Sequence, residues 1–231
     1  MSKAFDTIDH QILLQKLSHY GVRGSVNLWF KSYLSSRQQF TSVNNVHSNF
    51  LDISCGVPQG SILGPLLFII YVNDICNVSK SCSLVLFADD TNIFFTDSHD
   101  NLENIVNGEL SKFYAWFVTN KLSLNVDKTN FMVFSIGKNC NNFNISMNNV
   151  PLERVKRAKF LGVYIDDKLS WGDHISYVAT QVSKGVDILA KLKFTLPLKA
   201  LRLIYLALFY LSSHTAVVSG QVRINLYSIS L

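Results

Sequence analysis

The chain of 231 residues is predicted to adopt an α+β fold. Helical and extended patterns are mixed along it. The extended segments are short and close on turn residues as hairpins. One segment, Asp100 to Lys121, sustains a 3.6-residue apolar period through Leu102, Ile105, Val106, Leu110, Phe113 and Phe117.

The elements follow in order. His10 to Gly21 puts Ile12, Leu13, Leu17 and Tyr20 on one helical face, with Gly21 as the stop and Asp9 or Thr7 as the cap. A second short helix is expected over Ser25 to Leu34. Gln38 to Val43 and Phe50 to Cys55 read as strands around the Asn44-Asn45 turn region. Ser61 to Ile75 reads as a helix with Pro65 in its first turn, where the missing N–H costs nothing. Leu84 to Ala88 and Thr91 to Phe95 are apolar strands around Asp89-Asp90. After the long helix, strands fit Phe131 to Phe134, Phe143 to Met147 and Lys159 to Ile165. From Asp173 the pattern is helical through Leu192, and Pro197 restarts a helix that ends near Leu211. The division expected is a strand-bearing domain over 1–172, a helical segment over 173–211 and an atypical tail over 212–231.

Composition narrows the function classes. Hydrophobic residues make up 48% and charged residues 16%, which excludes a disordered chain. No apolar run reaches the roughly 18 residues of a membrane span; the longest, Ile62 to Val72, is broken by Gly64-Pro65. Lys3 and Asp6 interrupt any apolar signal at the N-terminus. Cys55, Cys76, Cys82 and Cys140 have no zinc spacing and read as buried, reduced thiols of an intracellular protein. The histidines have no zinc spacing either, and Trp29, Trp116 and Trp171 read as core residues. Residues 1–100 carry six basic and eight acidic side chains, and residues 101–231 carry fifteen and eight. Within the second group, Arg154 to Arg202 carries ten basic and four acidic residues. Such a basic half suits a polyanion partner, and a lysine-rich solvated surface accounts for it equally.

Three segments carry chemistry. In Leu84-Val85-Leu86-Phe87-Ala88-Asp89-Asp90-Thr91, adjacent carboxylates sit at the turn of an apolar hairpin. Aspartate is common in turns, but a carboxylate pair flanked by apolar strands also suits a divalent cation that takes its other ligands from substrate phosphates. In Gly56-Val57-Pro58-Gln59-Gly60-Ser61-Ile62-Leu63-Gly64-Pro65, three glycines allow close backbone approach to a ligand. Gln59 there offers both a donor and an acceptor, and the helix N-terminus beyond favours a phosphate. Lys3-Ala4-Phe5-Asp6-Thr7-Ile8-Asp9-His10 is by itself only a helix entry.

Taken together these segments resemble reverse transcriptases, specifically those of non-LTR (LINE-type) retrotransposons. Ser2 to His10 resembles the end of the family's motif A, Gly56 to Pro65 its motif B, and Phe87-Ala88-Asp89-Asp90 its motif C. Leu122 to Thr129 resembles motif D, and Phe160 to Asp166 resembles motif E, the primer grip. The motifs stand in the family's order. The resemblance implies a polymerase palm, an antiparallel sheet packed on helices, followed by the start of a thumb. It implies copying of an RNA template onto a DNA primer from deoxynucleoside triphosphates, with no membrane partner. Asp89 and Asp90 would hold Mg²⁺ or Mn²⁺ at a two-metal centre. Phe5 falls at the steric gate, and Gln59 and Gly60 fall beside the incoming nucleotide and template. Lys128 corresponds to the motif D lysine, a proton donor to pyrophosphate in one reading and a solvent-facing lysine in the other. The basic stretch Arg154 to Arg202 fits a thumb that tracks duplex phosphates.

The sequence also departs from the pattern. Motif A normally reads Asp-Leu-Ser-Lys-Ala-Phe-Asp, with the first Asp as metal ligand. Met1 stands at the Leu position, so that ligand falls before residue 1, and Asp6 matches the second, non-ligand Asp. The fingers and first palm strand of the family precede motif A and have no counterpart here. The expectation is therefore a truncated domain with little or no polymerase activity. The alternatives are a non-catalytic nucleic-acid-binding remnant and a non-functional pseudogene product. Residues 212–231 do not resemble the family's continuation, no endonuclease is present, and nuclear or cytoplasmic residence is not legible.

Overall fold

The computed structural model describes residues 4–96, 101–134, 142–210 and 227–230. After a 3-10 turn over Ala4–Asp6 come helices α1 (His10–His19) and α2 (Gly24–Leu34). Four two-residue strands follow: β1 (Gln38–Gln39), β2 (Ser42–Val43), β3 (Val46–His47) and β4 (Leu51–Asp52). Helix α3 (Leu63–Val72) leads through a 3-10 turn to the hairpin of β5 (Ser83–Phe87) and β6 (Asp90–Phe95), and then to α4 (Leu102–Thr119). Short strands come next: β7 (Asn130–Met132), β8 (Ser146–Met147), β9 (Val150–Pro151), β10 (Glu153–Arg154), β11 (Arg157–Phe160) and β12 (Val163–Asp166). Helices α5 (Gly172–Leu192) and α6 (Leu198–Tyr205), a π-helical turn over Leu206–Tyr210 and β13 (Tyr227–Ser230) complete the order. Mixed helices and small antiparallel hairpins make this an α+β chain, as the sequence predicts.

The chain forms two compact units. The first comprises Met1–Asn130, Phe143–Glu153 and Ile229–Leu231; the second comprises Phe131–Asn142 and Arg154–Ser228.

In the first unit, α1 packs on α2 and on α3. Leu13 and Leu17 of α1, Leu67, Phe68 and Tyr71 of α3, and Val106, Leu110, Phe113 and Phe117 of α4 are all buried. Tyr71 is fully buried, and its hydroxyl donates to the Asn120 carbonyl at 2.6 Å. Burial pushes that phenol up to about 12. Lys16 is drawn into the same region: its Nζ lies 2.6 Å from both the Tyr71 carbonyl and Asp74 Oδ1, and 5.0 Å from the ring centres of Tyr71 and Trp116. Desolvation lowers its pKa, and the Asp74 carboxylate opposes the shift.

Asp9 caps α1 as the sequence suggests, accepting from the amides of Gln11 and Ile12 at 2.9 and 3.0 Å. Its other oxygen takes the Lys121 ammonium at 2.6 Å, tying the start of α1 to the end of α4. The Lys121 hydrogen bond and the two amides outweigh burial and hold the Asp9 carboxyl below its usual range.

The second unit turns on the hairpin β11–β12. The sequence suggests one strand over Lys159 to Ile165; the structure has two strands joined at Leu161-Gly162. Both turn residues are left-handed, φ 48° and 87°, the twist that a two-residue hairpin needs. Asp166 then organises the exit from β12, accepting from the amides of Lys168, Ser170 and Trp171 and from Ser170 Oγ. Burial pushes the Asp166 carboxyl up, but these bonds prevail and hold it below its usual range. Lys159 lies over the rings of Tyr164 and Tyr177.

Two expectations about packing are corrected. Cys55 and Cys76 are exposed and Cys82 is half-buried, rather than buried core thiols; the first two lie on a loop and a 3-10 turn outside the helix faces that form the core. Cys140 lies outside the described residues. Trp29 is exposed and stacks on Tyr33 one helical turn away, at 5.5 Å between ring centres, so an aromatic neighbour on its own helix covers part of the ring. Trp116 and Trp171 are half-buried. No helix among the described residues is long and apolar enough to cross a membrane.

Candidate active site

All the site residues singled out in the sequence fall within the first unit. Two of the segments meet there. The Val57 amide donates to the Phe5 carbonyl at 2.8 Å and the Gly56 amide to the Ile8 carbonyl at 2.7 Å. His10 Nε2 donates to the Gly56 carbonyl at 2.7 Å, and Asp9 forms an antiparallel bridge with Cys55. The helix entry at residues 4–10 is thus stitched to the glycine loop some fifty positions later.

The glycines are used differently from the sequence expectation. A Cβ on Gly56 would lie 2.9 Å from both the Cα and the carbonyl oxygen of Asp6, and its φ is +87°. A Cβ on Gly64 would lie 2.9 Å from the Pro58 carbonyl oxygen. The close approach at these two positions is therefore made by the chain's own backbone. Gly60, at φ +79°, has open space around it. Ser61 Oγ accepts from the Gly64 amide at 2.9 Å and donates to the Pro58 carbonyl at 2.8 Å, closing the first turn of α3 internally.

Phe5 is half-buried, and its ring leans on that of Phe68 in α3 with centres 4.8 Å apart. Packing one face of the ring on the core fixes its direction. Gln59 is exposed, and its Nε2 donates to Asp6 Oδ1 at 2.7 Å. Asp6 and Gln59, with Arg37, Gln39, Asp52 and Cys55, line a cleft of about 660 Å³. Sequence reasoning missed Arg37, Asp52 and Cys55 here, because no local pattern marks residues that meet only when the loop folds back.

Asp89 and Asp90 stand at the end of the β5–β6 hairpin, where Phe87 pairs with Asp90 and Ala88-Asp89 form the turn. Asp89 is half-buried and Asp90 exposed. Ala88 is left-handed at φ 50°, which costs an alanine roughly 1–2 kcal/mol. The strained turn thus lies beside the carboxylate pair, as strained backbone often does at functional sites. Just inside it, Thr91 Oγ1 and Asn92 Nδ2 are buried without a hydrogen-bond partner among the described residues. Among those residues no group of three or more His, Cys, Asp or Glu side chains converges on a metal position. Two hard carboxylates do fit Mg²⁺ or Mn²⁺ as a partial donor set, because such ions take one or two carboxylates and complete their shell with water and substrate phosphates. Lys128 is exposed at the end of a 3-10 turn over Val126–Lys128.

The family described as reverse transcriptase (RNA-dependent DNA polymerase) matches residues 1–165. The chain belongs to the reverse transcriptase family. A probable RNA-directed DNA polymerase from transposon BS of Drosophila melanogaster is 29% identical over 224 residues, covering 89% of this chain and 24% of that protein. A probable RNA-directed DNA polymerase from transposon X-element of the same organism is 28% identical, covering 80% and 21%. The RNA-directed DNA polymerase from its mobile element jockey is also 28% identical, covering 77% and 20%. The assignment to reverse transcriptases of LINE-type retrotransposons agrees with these relatives. The chain spans between a fifth and a quarter of their length.

Proposed function

We propose that the first unit serves as polymerase palm in RNA-directed DNA synthesis, and that the basic stretch Arg154 to Arg202 serves as a thumb-like surface for the template–primer duplex. The observation that carries the reading is the joining of the Phe5 and Gln59 segments into one site, in a chain whose family match runs across residues 1–165.

In this reading Asp89 and Asp90 hold Mg²⁺ or Mn²⁺. The ion, when bound, stabilises charge on the attacking and leaving oxygens of nucleotidyl transfer. The chain's own residues do the rest. Phe5, braced on Phe68, presents a fixed aromatic edge that excludes a ribose 2′-hydroxyl. Gln59 and Gly60 border the nucleotide and template, with Gly60 leaving room for backbone approach. Lys128, exposed and cationic, faces the departing pyrophosphate and gives it a proton.

The test has two arms. Binding of a fluorescent RNA–DNA hybrid is measured across a salt series; binding that weakens steeply with salt is expected, and absence of binding overturns the proposal. Primer extension on a poly(rA) template is measured with Mg²⁺ and Mn²⁺, for this chain and for one extended upstream by an Asp-bearing strand. Synthesis by either chain is expected to be lost in its Asp89→Asn variant. Synthesis that survives Asp89→Asn overturns the metal assignment, and hybrid binding without synthesis from either chain favours a nucleic-acid-binding remnant.

A further inference from the structure

Asp6 lies outside the metal assignment: in the family resemblance it is the non-ligand aspartate. Its carboxylate is nevertheless committed, since Oδ1 accepts from Gln59 Nε2 at 2.7 Å. The backbone behind it is held by its neighbours. Val57 and Gly56 donate to the Phe5 and Ile8 carbonyls on either side, Cys55 Sγ donates to the Asp6 carbonyl at 3.3 Å, and Gly56 packs against the Asp6 Cα with no room for a side chain. Asp6 is therefore a fixed point to which a mobile side chain is tied.

The consequence for Gln59 is chemical. A glutamine amide has two unlike ends, a donor NH₂ and an acceptor oxygen, and a carboxylate only accepts. Contact with Asp6 therefore commits the NH₂ end and leaves Oε1 as the end offered to a ligand. No donor among the described residues reaches Oε1. Asp6 and Gln59 line the same cleft, and both are exposed. A hydrogen bond between exposed groups adds little to stability, whereas orientation of the amide decides which ligand group the cleft accepts.

We propose that Asp6 is a positioning residue for Gln59, holding the amide so that its oxygen meets a hydrogen-bond donor of the incoming nucleotide. The inference rests on the polymerase reading above. Losing the tether frees the amide to turn over and restores the rotamer freedom of a long side chain, which together correspond to a loss of about three- to tenfold in nucleotide affinity.

The experiment uses the full chain on a fluorescein-labelled poly(rA)–oligo(dT) hybrid with Mg²⁺ and reads two affinities: that of the chain for the hybrid, and that of dTTP for the resulting complex. Asp6→Ala and Gln59→Ala are each expected to weaken dTTP three- to tenfold, read at saturating hybrid, and the double variant no further. Asp6→Asn, which still accepts through Oδ1, is expected to stay near wild type. Gln59→Glu places two carboxylates together and is expected to weaken dTTP. Asp6→Asn combined with Gln59→Glu reverses donor and acceptor, keeps an oxygen facing the ligand, and is expected to restore affinity. Wild-type dTTP affinity in Asp6→Ala, additive losses in the double variant, or failure of the reversed pair to recover overturns the inference. So does a hybrid complex that takes up no dTTP. A wild-type chain that binds no hybrid overturns the polymerase reading itself and this inference with it.

Discussion

Gly56 and Asp6 touch backbone to backbone: a Cβ at 56 would sit 2.9 Å from the Asp6 Cα and carbonyl oxygen. This contact joins the two segments that carry Phe5 and Gln59. Gly56→Ala is expected to destabilise the chain by about 2–3 kcal/mol, from left-handed strain plus displaced backbone. Gly60→Ala, equally left-handed but facing open space, is expected to cost only about 1 kcal/mol. Urea unfolding of the two variants side by side checks the difference, and equal losses would contradict the packing argument.

Tyr71→Phe removes one oxygen from a fully buried ring and leaves the Asn120 carbonyl without the bond it receives at 2.6 Å. The expected cost is about 1–3 kcal/mol, the penalty for an unsatisfied buried acceptor. Thermal unfolding followed by circular dichroism measures it; an unchanged midpoint refutes the assignment.

The same groups set the pH dependence. The Asp9 carboxyl is held below its ordinary 3.8 by Lys121 and the helix amides. The unfolded chain therefore binds this proton first as pH falls, and the contribution present above about 3.8 is lost as pH drops through the lower folded value. Tyr71 runs the other way. Its folded value of about 12 exceeds the ordinary 10.0, so its contribution is complete below pH 10 and disappears as pH rises towards 12. Asp9→Asn is expected to flatten the acid limb, and Tyr71→Phe the alkaline limb, of stability measured against pH.

Ala88→Gly relieves the left-handed strain at the turn before Asp89. Against the entropy cost of a glycine, a net gain of about 0.5–1 kcal/mol is expected. A chemical denaturation midpoint that moves downwards would count against strain at that turn.

Strand β5 pairs with β6 and forms the end of its sheet among the described strands, with Val85 and Phe87 exposed along it. An apolar edge of this kind invites strand pairing between molecules. Val85→Lys is expected to lower self-association in sedimentation velocity runs over a concentration series, without moving the unfolding midpoint by more than about 0.5 kcal/mol.

The sequence by itself determined the helices and the family. The α4 period, the Asp9 cap, the hairpin around Asp89 (its turn falls one residue earlier than the sequence suggests, at Ala88-Asp89) and the ordered motifs are local, written within a few residues of one another, and they suffice for the α+β class and the family. Hairpin detail was less legible. The turn at Leu161-Gly162 hides in an apolar run, because a leucine held at positive φ by its strand partners leaves no compositional mark. What only the tertiary structure decided are contacts between distant positions: His10 with Gly56, 46 residues apart, Gln59 with Asp6, 53 apart, and Lys121 with Asp9, 112 apart. Hydrogen bonds and ion pairs of this kind depend on where folded elements bring donors and acceptors, and neither periodicity nor composition records that. This is why Gly56 reads in the sequence as room for a ligand, and in the structure as room for the backbone of Asp6.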